Sequence, residues 1–297
     1  MICLIELGLT TWSEHQTFIN ENRPVTLEEY AAHLPLVEVD TFFYGLPRAS
    51  TVANWLSQVP PSFSFIPKVP KALTRHPGEQ LAGLELKQAF SAFRQSVDSL
   101  VTTNHLKTVL VQFPPTFTAT KENVAYLRYF RSLLADLPLA LELRHQSWYA
   151  PGVTDSLLRF CQQYQYSLVA ADEPTNTQAS VPFVLAATNP KLAVVRLHGR
   201  NARGWANQGA DWRKKRTLYS YSQQELAWLK EQVLRIEAQV EEVVVIFNNN
   251  SAGDAAPNAL AFKEMLGLEF TGLGKLPPEQ LDLLWKNWSL LFGSDQF

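Results

Sequence analysis

Short apolar runs in this chain end, one after another, in side chains able to do chemistry. Glu38 follows Leu36-Val37, Lys68 follows Phe65-Ile66-Pro67, and Gln112 follows Val109-Leu110-Val111. Glu142 and Arg144 alternate with Leu141 and Leu143, Arg196 and His198 alternate with Val195 and Leu197, and Asn248 comes straight after Val243–Phe247. Carboxylates and imidazoles move protons. Arginine and lysine hold phosphate or carboxylate groups, arginine with a two-pronged fork. Arg196, His198, Arg200 and Arg203 form one basic cluster, and Asn248-Asn249-Asn250-Ser251-Ala252-Gly253 offers polar groups to the same kind of ligand. Glu38 and Glu142 are the candidate bases, with Lys68 and Arg144 to orient them. Two facing carboxylates also suit a glycosidase when roughly 5–10 Å apart. Adjacent Lys68 and Arg144 favour ionised carboxylates, which does not suit a general acid. Trp12, Phe43, Tyr44, Trp148 and Tyr149 are rings that can stack on a substrate or serve as lids and core.

Other chemistries find weaker support. Glu38, Glu142, His145, Asp172 and His198 are donors that zinc or manganese accepts. No tight spacing such as His-Glu-x-x-His occurs, and the basic neighbours repel a cation, so no cofactor is required and a divalent metal is the disfavoured alternative. His145 has a second reading, as a hydrogen-bonding residue that sets its own loop. Cys3 and Cys161 lie in apolar surroundings and do not read as nucleophiles. Gly-x-Ser-x-Gly, a Walker loop and Gly-x-Gly-x-x-Gly are all absent.

The composition narrows the class. The 297 residues include 26 Lys+Arg against 28 Asp+Glu, a net charge of −2, and 46% are hydrophobic. That is too apolar and too neutral for a disordered chain. Two cysteines cannot make a disulfide scaffold, so a reducing cytosol is the expected compartment. No apolar run reaches the roughly 18 residues of a membrane span. Met1–Leu7 contains Glu6 and no basic region, so no signal peptide is expected. The charge balance argues against broad coating of nucleic acid, and a small anionic ligand is the favoured partner.

Eight apolar runs have strand length: residues Ile2–Gly8, Leu36–Val39, Ser64–Val69, Thr108–Phe113, Leu139–Leu143, Ser167–Ala171, Ala193–Leu197 and Val243–Phe247. Helical patterns separate them. Thr26-Leu27-Glu28-Glu29 and Ser222-Gln223-Gln224-Glu225 have the form of capping boxes. Ser50 is the expected cap of Thr51–Val59, and Gly83–Val101, Lys121–Leu134, Gly152–Tyr164 and Asn258–Leu266 are further helices. Strand then helix, eight times, predicts an α/β fold: a single (β/α)8 TIM-like barrel over residues 1–268. An open doubly wound sheet is the alternative. Residues 269–297 form a tail whose Leu281, Leu284, Trp285, Trp288, Leu291 and Phe292 suit an amphipathic helix packed on the barrel or on a second subunit.

Side chains alternate along a barrel strand, and the helix-facing set must be apolar. That fixes the phase. Val37, Val39, Val109, Val111, Leu139, Leu141, Val195, Leu197, Val243 and Val245 face the helices. Glu38, Lys68, Gln112, Glu142, Arg144, Arg196, His198 and Asn248 then face inward, polar only at the C-terminal ends of their strands, where barrels place chemistry. Asp172 lies just past the sixth run.

These residues sit in motifs with a wider resemblance. Gly8-Leu9-Thr10-Thr11-Trp12-Ser13, Val37-Glu38-Val39-Asp40-Thr41-Phe42-Phe43-Tyr44, Phe65-Ile66-Pro67-Lys68 and Gln112-Phe113-Pro114-Pro115 come first. Leu141-Glu142-Leu143-Arg144-His145-Gln146-Ser147-Trp148, Val195-Arg196-Leu197-His198-Gly199-Arg200 and Phe247-Asn248-Asn249-Asn250 follow. Together they resemble the DUF72, or YecE-like, family over residues 4–266. The resemblance implies a TIM-barrel-like fold and brings no established reaction. The family's first motif commonly reads Gly-Thr/Cys-Ser-Gly-Trp, and here Leu9-Thr10-Thr11 precedes Trp12; Asp40 stands where asparagine is common.

The expected function is an enzyme for an anionic, phosphorylated small molecule or nucleotide fragment, hydrolytic by preference. Glu38, Lys68, Glu142, Arg144 and His145 are the catalytic candidates. Trp12, Tyr44, Gln112, Trp148, Asp172, Arg196, His198, Arg200, Asn248, Asn249 and Asn250 are the binding candidates. A glycosidase using Glu38 and Glu142, and a non-catalytic binding barrel, are the alternatives.

Overall fold

The apolar runs become parallel strands: β1 (Leu4–Thr10), β2 (Leu36–Val39), β3 (Ser64–Pro67), β4 (Val109–Gln112), β5 (Leu139–Glu142), β6 (Tyr166–Asp172), β7 (Leu192–Leu197) and β8 (Glu242–Phe247). They lie in the order β3-β2-β1-β8-β7-β6-β5-β4. Two isolated parallel bridges, Phe65 with Leu106 and Lys68 with Leu110, bring β3 beside β4. The sheet is thereby a nearly closed barrel, not the open sheet that was the alternative. The computed structural model describes residues 4–275, apart from residues 80, 176, 178, 207, 208 and 210 and the side chains of 212 and 213. The tail helix expected around Leu281–Phe292, and Cys3, lie outside the described residues.

Two apolar sets line the two faces of the sheet. Val37, Val39, Phe65, Val109, Val111, Leu139, Leu141, Val195, Leu197, Val243 and Val245 pack into the layer beneath the helices. Leu36, Ile66, Leu110, Ala140, Val169, Leu192, Val194, Val244 and Ile246 form a separate cluster inside the barrel. The strand phase is therefore the one the alternation requires. Gly8 belongs to the inner set. A Cβ there would lie 2.2 Å from Leu36 Cδ1 and 2.7 Å from the Leu36 carbonyl oxygen, so only glycine fits between β1 and β2. Tyr30 ties the same two strands: its hydroxyl accepts from Leu9 N–H and donates to Leu36 O, both at 2.8 Å.

The lower inner layer is not wholly apolar, which corrects the expectation. Glu6 sits at the N-terminal end and pairs with Lys107 at 2.7 Å, and Lys107 also reaches Glu242 at 3.0 Å. Ser167 Oγ donates to Leu192 O at 2.7 Å. Each polar group there is matched, which is what permits its burial.

Between the strands run α1 (Leu27–Ala31), α2 (Thr41–Tyr44), α3 (Ala49–Ser57), α4 (Gly83–Ser96), α5 (Asp98–Thr102), α6 (Lys121–Leu133), α7 (Thr154–Tyr164), α8 (Ala202–Ala206), α9 (Trp212–Arg216), α10 (Gln223–Glu237) and α11 (Ala255–Leu266). Both capping boxes form, at α1 and α10. Ser50 does not cap α3. That helix starts two residues earlier, at Ala49, with Arg48 at the cap position and no side-chain cap bond. The expected Gly83–Val101 helix breaks at Val97 into α4 and α5. Among the described residues, no helix is long and apolar enough to cross a membrane.

Candidate functional site

The inward phase carries Glu38, Lys68, Gln112, Glu142, Arg144, Arg196, His198 and Asn248 to the C-terminal mouth of the barrel. Arg196 is the hub. Its Nε and Nη2 donate to Glu38 at 2.8 and 2.6 Å, and its Nη1 donates to Glu142 Oε2. Glu142 Oε1 then accepts from Arg144 Nη1 at 2.7 Å and from Gln112 Nε2 at 3.0 Å. Arg144 Nε lies 2.9 Å from Glu173. The result is a chain of alternating charge, Glu38–Arg196–Glu142–Arg144–Glu173, with every member buried.

Position along that chain sets the carboxyl groups apart. Burial opposes the charge on Glu142, but the guanidiniums of Arg196 and Arg144 outweigh it and hold the carboxyl well below its usual range. The two chain ends each have fewer cations. Burial pushes Glu38 up to about 7 despite Arg196, and pushes Glu173 up to about 7 despite Arg144. Burial lowers His198 to about 3, against the pull of Glu142, so the imidazole is neutral at pH 7. Asn248 Nδ2 and His198 Nδ1 are 2.8 Å apart. His198 Nε2 lies 3.3 Å from Glu142 Oε1 and from Arg144 Nη1, and 3.4 Å from Arg196 Nη1.

Lys68 stands apart from this chain. It pairs with Asp40 at 3.2 Å and lies 4.6 Å from the Phe43 ring centre. Its side chain keeps 12% exposure, against 1% for Arg196. Lys68 is thus more accessible than Arg196, and it lies outside the buried chain that engages Arg144.

Donor atoms of Glu142, Glu173 and His198 lie within 4.8 Å of one another, the spacing of a metal triad. Two guanidiniums already sit on these donors, Arg144 on Glu142 and Glu173 and Arg196 on Glu142. Their positive charge occupies the place a divalent cation would take, so the donor set does not fit a metal.

Comparison with known proteins identifies the barrel. A family described as "Protein of unknown function DUF72" matches residues 6–281. The chain belongs to the DUF72 family. It is 38% identical over 284 residues to the UPF0759 protein YunF of Bacillus subtilis (strain 168), covering 94% of this chain and 100% of that protein. The UPF0759 protein YecE of Escherichia coli (strain K12) is 28% identical over 52% of this chain and 54% of its own length. A DUF72 family crystal structure from Enterococcus faecalis V583 superposes with a TM-score of 0.87 at 47% identity, over 94% of this chain and 100% of that one. One from Thermotoga maritima MSB8 gives 0.76 at 29% identity, over 89% and 100%.

Other candidate residues lie elsewhere on this DUF72 barrel. Asp172 ends β6 on the helix-facing phase, since Tyr166, Leu168 and Ala170 face outward and Val169 inward. It accepts from Arg200 Nη2 at 2.7 Å and from Tyr221 Oη at 2.7 Å. Arg200 is thereby drawn outward, 5.0 Å from the Trp228 ring centre, and Arg203 is exposed. Asn249, also on the outward phase, donates to Tyr219 O and Asn258 Oδ1. Asn250 donates to Glu14 at 2.8 Å, which puts a carboxylate beside the amides expected to bind an anion. Trp148 is buried, stacked on Phe117, with Nε1 donating to Phe117 O at 2.7 Å. His145 Nδ1 accepts from Ser147 N–H at 3.0 Å and caps the short 3-10 turn Gln146–Tyr149, the second reading of that residue. Trp12 meets Trp55 edge to face at 5.6 Å, and Tyr44 is 64% exposed at the rim. Cys161 is buried on α7, where burial pushes its thiol up to about 12.

Two mouth residues escaped the sequence reading. Glu173 carries the inward phase of β6 one residue beyond the strand; Ser167, Val169, Ala171, Glu173 was the available signal, hidden because β6 is apolar on both faces. Trp205 on α8 is 2% exposed and covers Arg144 with its ring centre 5.0 Å away. Arg216 lies 4.7 Å from the same ring. A tryptophan on a five-residue helix, too short to show periodicity, carries no such signal.

Proposed function

We propose that the barrel mouth is the active centre of an enzyme that transfers protons on a small polar substrate bearing an anionic group. Glu38 is the base and Lys68 the cation that meets the anion. The observation that carries this reading is the buried chain from Glu38 to Glu173. So many ionised groups placed at one mouth cost stability, and groups so placed are retained for work on a ligand. Glu142, tied by two guanidiniums, is a poor base and serves as the anchor that orients Arg196 and Arg144. Glu38, gripped in two prongs yet balanced near neutrality, takes the proton of a bound water or of the substrate itself. Hydrolysis of a phosphoester is the preferred form, with isomerisation the second.

This assignment moves the anion away from Arg196 and Arg200, both engaged by carboxylates. It also disfavours a glycosidase, because the Arg196 guanidinium stands between Glu38 and Glu142 where a glycosidic bond would lie. The test is a thermal-shift screen of phosphorylated and carboxylated metabolites on wild type and Lys68→Met, followed by turnover assays on each hit. A ligand that stabilises wild type and not Lys68→Met supports the reading. Glu38→Gln should then bind the hit and turn it over about 10²–10⁴-fold more slowly. Full turnover by Glu38→Gln would exclude the role given to Glu38, and binding without turnover by wild type would leave a binding barrel instead of an enzyme.

A further inference from the structure

At the end of β1, beside the proposed base, two threonines have buried side-chain oxygens without a hydrogen-bond partner among the described residues. Thr10 is on the inward phase and stands opposite Glu38 in the β1–β2 register. The residue is 2% exposed, and its Oγ1 is buried with no hydrogen-bond partner among the described residues. Thr11 as a residue is half-buried, and its Oγ1 is likewise buried without a partner among the described residues. Thr11 also has φ of 61°, the left-handed region that a β-branched residue avoids. Its N–H donates to Glu38 O at 2.9 Å, so the strained turn is fastened to the strand that carries the base. His15 Nε2, 3.2 Å from Thr10 O, braces the turn from behind. Buried hydroxyls without partners and strained backbone both lower stability, and both gather where a ligand is to be met.

We propose that Thr10 and Thr11 form a subsite for an uncharged oxygen of the substrate, a hydroxyl or carbonyl, next to the proton that Glu38 removes. The assignment rests on the proposed reading of the mouth and names its substrate class. Hydroxyls beside a carboxylate favour a neutral oxygen over a second anion. The strand order β1, β2, β3 places Glu38 between the threonines and Lys68. Two strand spacings, about 10 Å, separate the neutral subsite from the cation. That distance fits a small hydroxylated or keto compound with its phosphate or carboxylate a few atoms away.

Glycerol 3-phosphate, inorganic phosphate and glycerol are the probes, used on wild type, Thr10→Val, Thr11→Val, Thr11→Gly and Lys68→Met. Wild type should bind glycerol 3-phosphate more tightly than phosphate. Thr10→Val and Thr11→Val should each lose about tenfold in affinity for glycerol 3-phosphate, the size of one uncharged hydrogen bond, and keep their affinity for phosphate. Without ligand, Thr10→Val and Thr11→Gly should melt about 2 °C higher than wild type, because one removes an unpaired polar group and the other the strain. Lower melting temperatures would show that the hydroxyls serve the fold and would overturn the assignment. So would valine variants that bind glycerol 3-phosphate as wild type does, or wild type that binds none of the probes. If Lys68→Met still binds both anions while the valine variants lose their preference, the place given to the anion fails and the threonine subsite stands.

Discussion

Arg196 spends its donors on two carboxylates, and this decides what substitutions at the mouth will do. Arg196→Met leaves Glu38 and Glu142 buried without their shared cation. A stability loss of about 3–5 kcal/mol is expected, read as an earlier midpoint in urea unfolding. Arg196 is therefore a poor site for testing ligand binding, and Lys68, 12% exposed and paired with Asp40 across 3.2 Å, is a better one. Glu173 allows a pH test. Its folded carboxyl titrates at about 7, raised by burial from an ordinary 4.5. Between those values the native state holds a proton that the unfolded state has released, so this residue's contribution to stability falls as pH rises. Glu173→Gln has no such proton to lose. Its stability relative to wild type should improve by roughly 1–3 kcal/mol from pH 5 to pH 8, measured by denaturant unfolding at each pH. A constant difference would mean that Glu173 stays ionised throughout.

The elements show why some of this was legible in the sequence and some was not. The β strands were readable because helix-facing positions must be apolar, and Val37/Val39 or Leu139/Leu141 fix the phase that turns Glu38 and Glu142 inward. The same rule fails on β6, where Tyr166–Ala171 is apolar or small on both faces, so Asp172 was favoured over its inward neighbour Glu173. Asn249 leaves the mouth by phase, captured by Tyr219 and Asn258, whereas Arg200 shares the parity of Arg196 and leaves only beyond the end of β7, after Gly199 with φ of 87°, captured by Asp172. Capping boxes were legible because Thr26 with Glu29, and Ser222 with Glu225, act within one turn. Ser222→Ala should cost about 1 kcal/mol, visible as a lower melting temperature. Gly8→Ala is the harsher change. Its methyl group meets the Leu36 carbonyl as well as a flexible side chain, so β1 and β2 must part. A loss of at least about 1–3 kcal/mol is expected, with the mouth residues Thr10 and Glu38 displaced along with their strands.

Across the whole molecule, the barrel is fastened unevenly. The β1–β8 and β7–β8 ladders each align six residue pairs, from Leu4 with Glu242 to Leu9 with Phe247 and from Leu192 with Glu242 to Leu197 with Phe247. The β3–β4 seam has two isolated bridges and a few backbone bonds, Phe65 N–H to His105 O at 2.7 Å, Lys107 N–H to Phe65 O at 3.0 Å and Val69 N–H to Leu110 O at 2.9 Å. The order of the sheet places that seam opposite the β8 side and beside Lys68 and Gln112. Opening a barrel at its shortest ladder breaks the fewest hydrogen bonds, so local opening should begin there. In native-state hydrogen exchange, the amides of Phe65, Lys107 and Val69 should therefore exchange faster than those of Val195, Val244 and Leu7. A ligand that bridges Lys68 on β3 to groups on neighbouring strands should slow the seam more than it slows the β7–β8 ladder. Uniform protection around the sheet, with or without ligand, would show that the seam is as firmly closed as the ladders and that the mouth is a rigid ring from the outset.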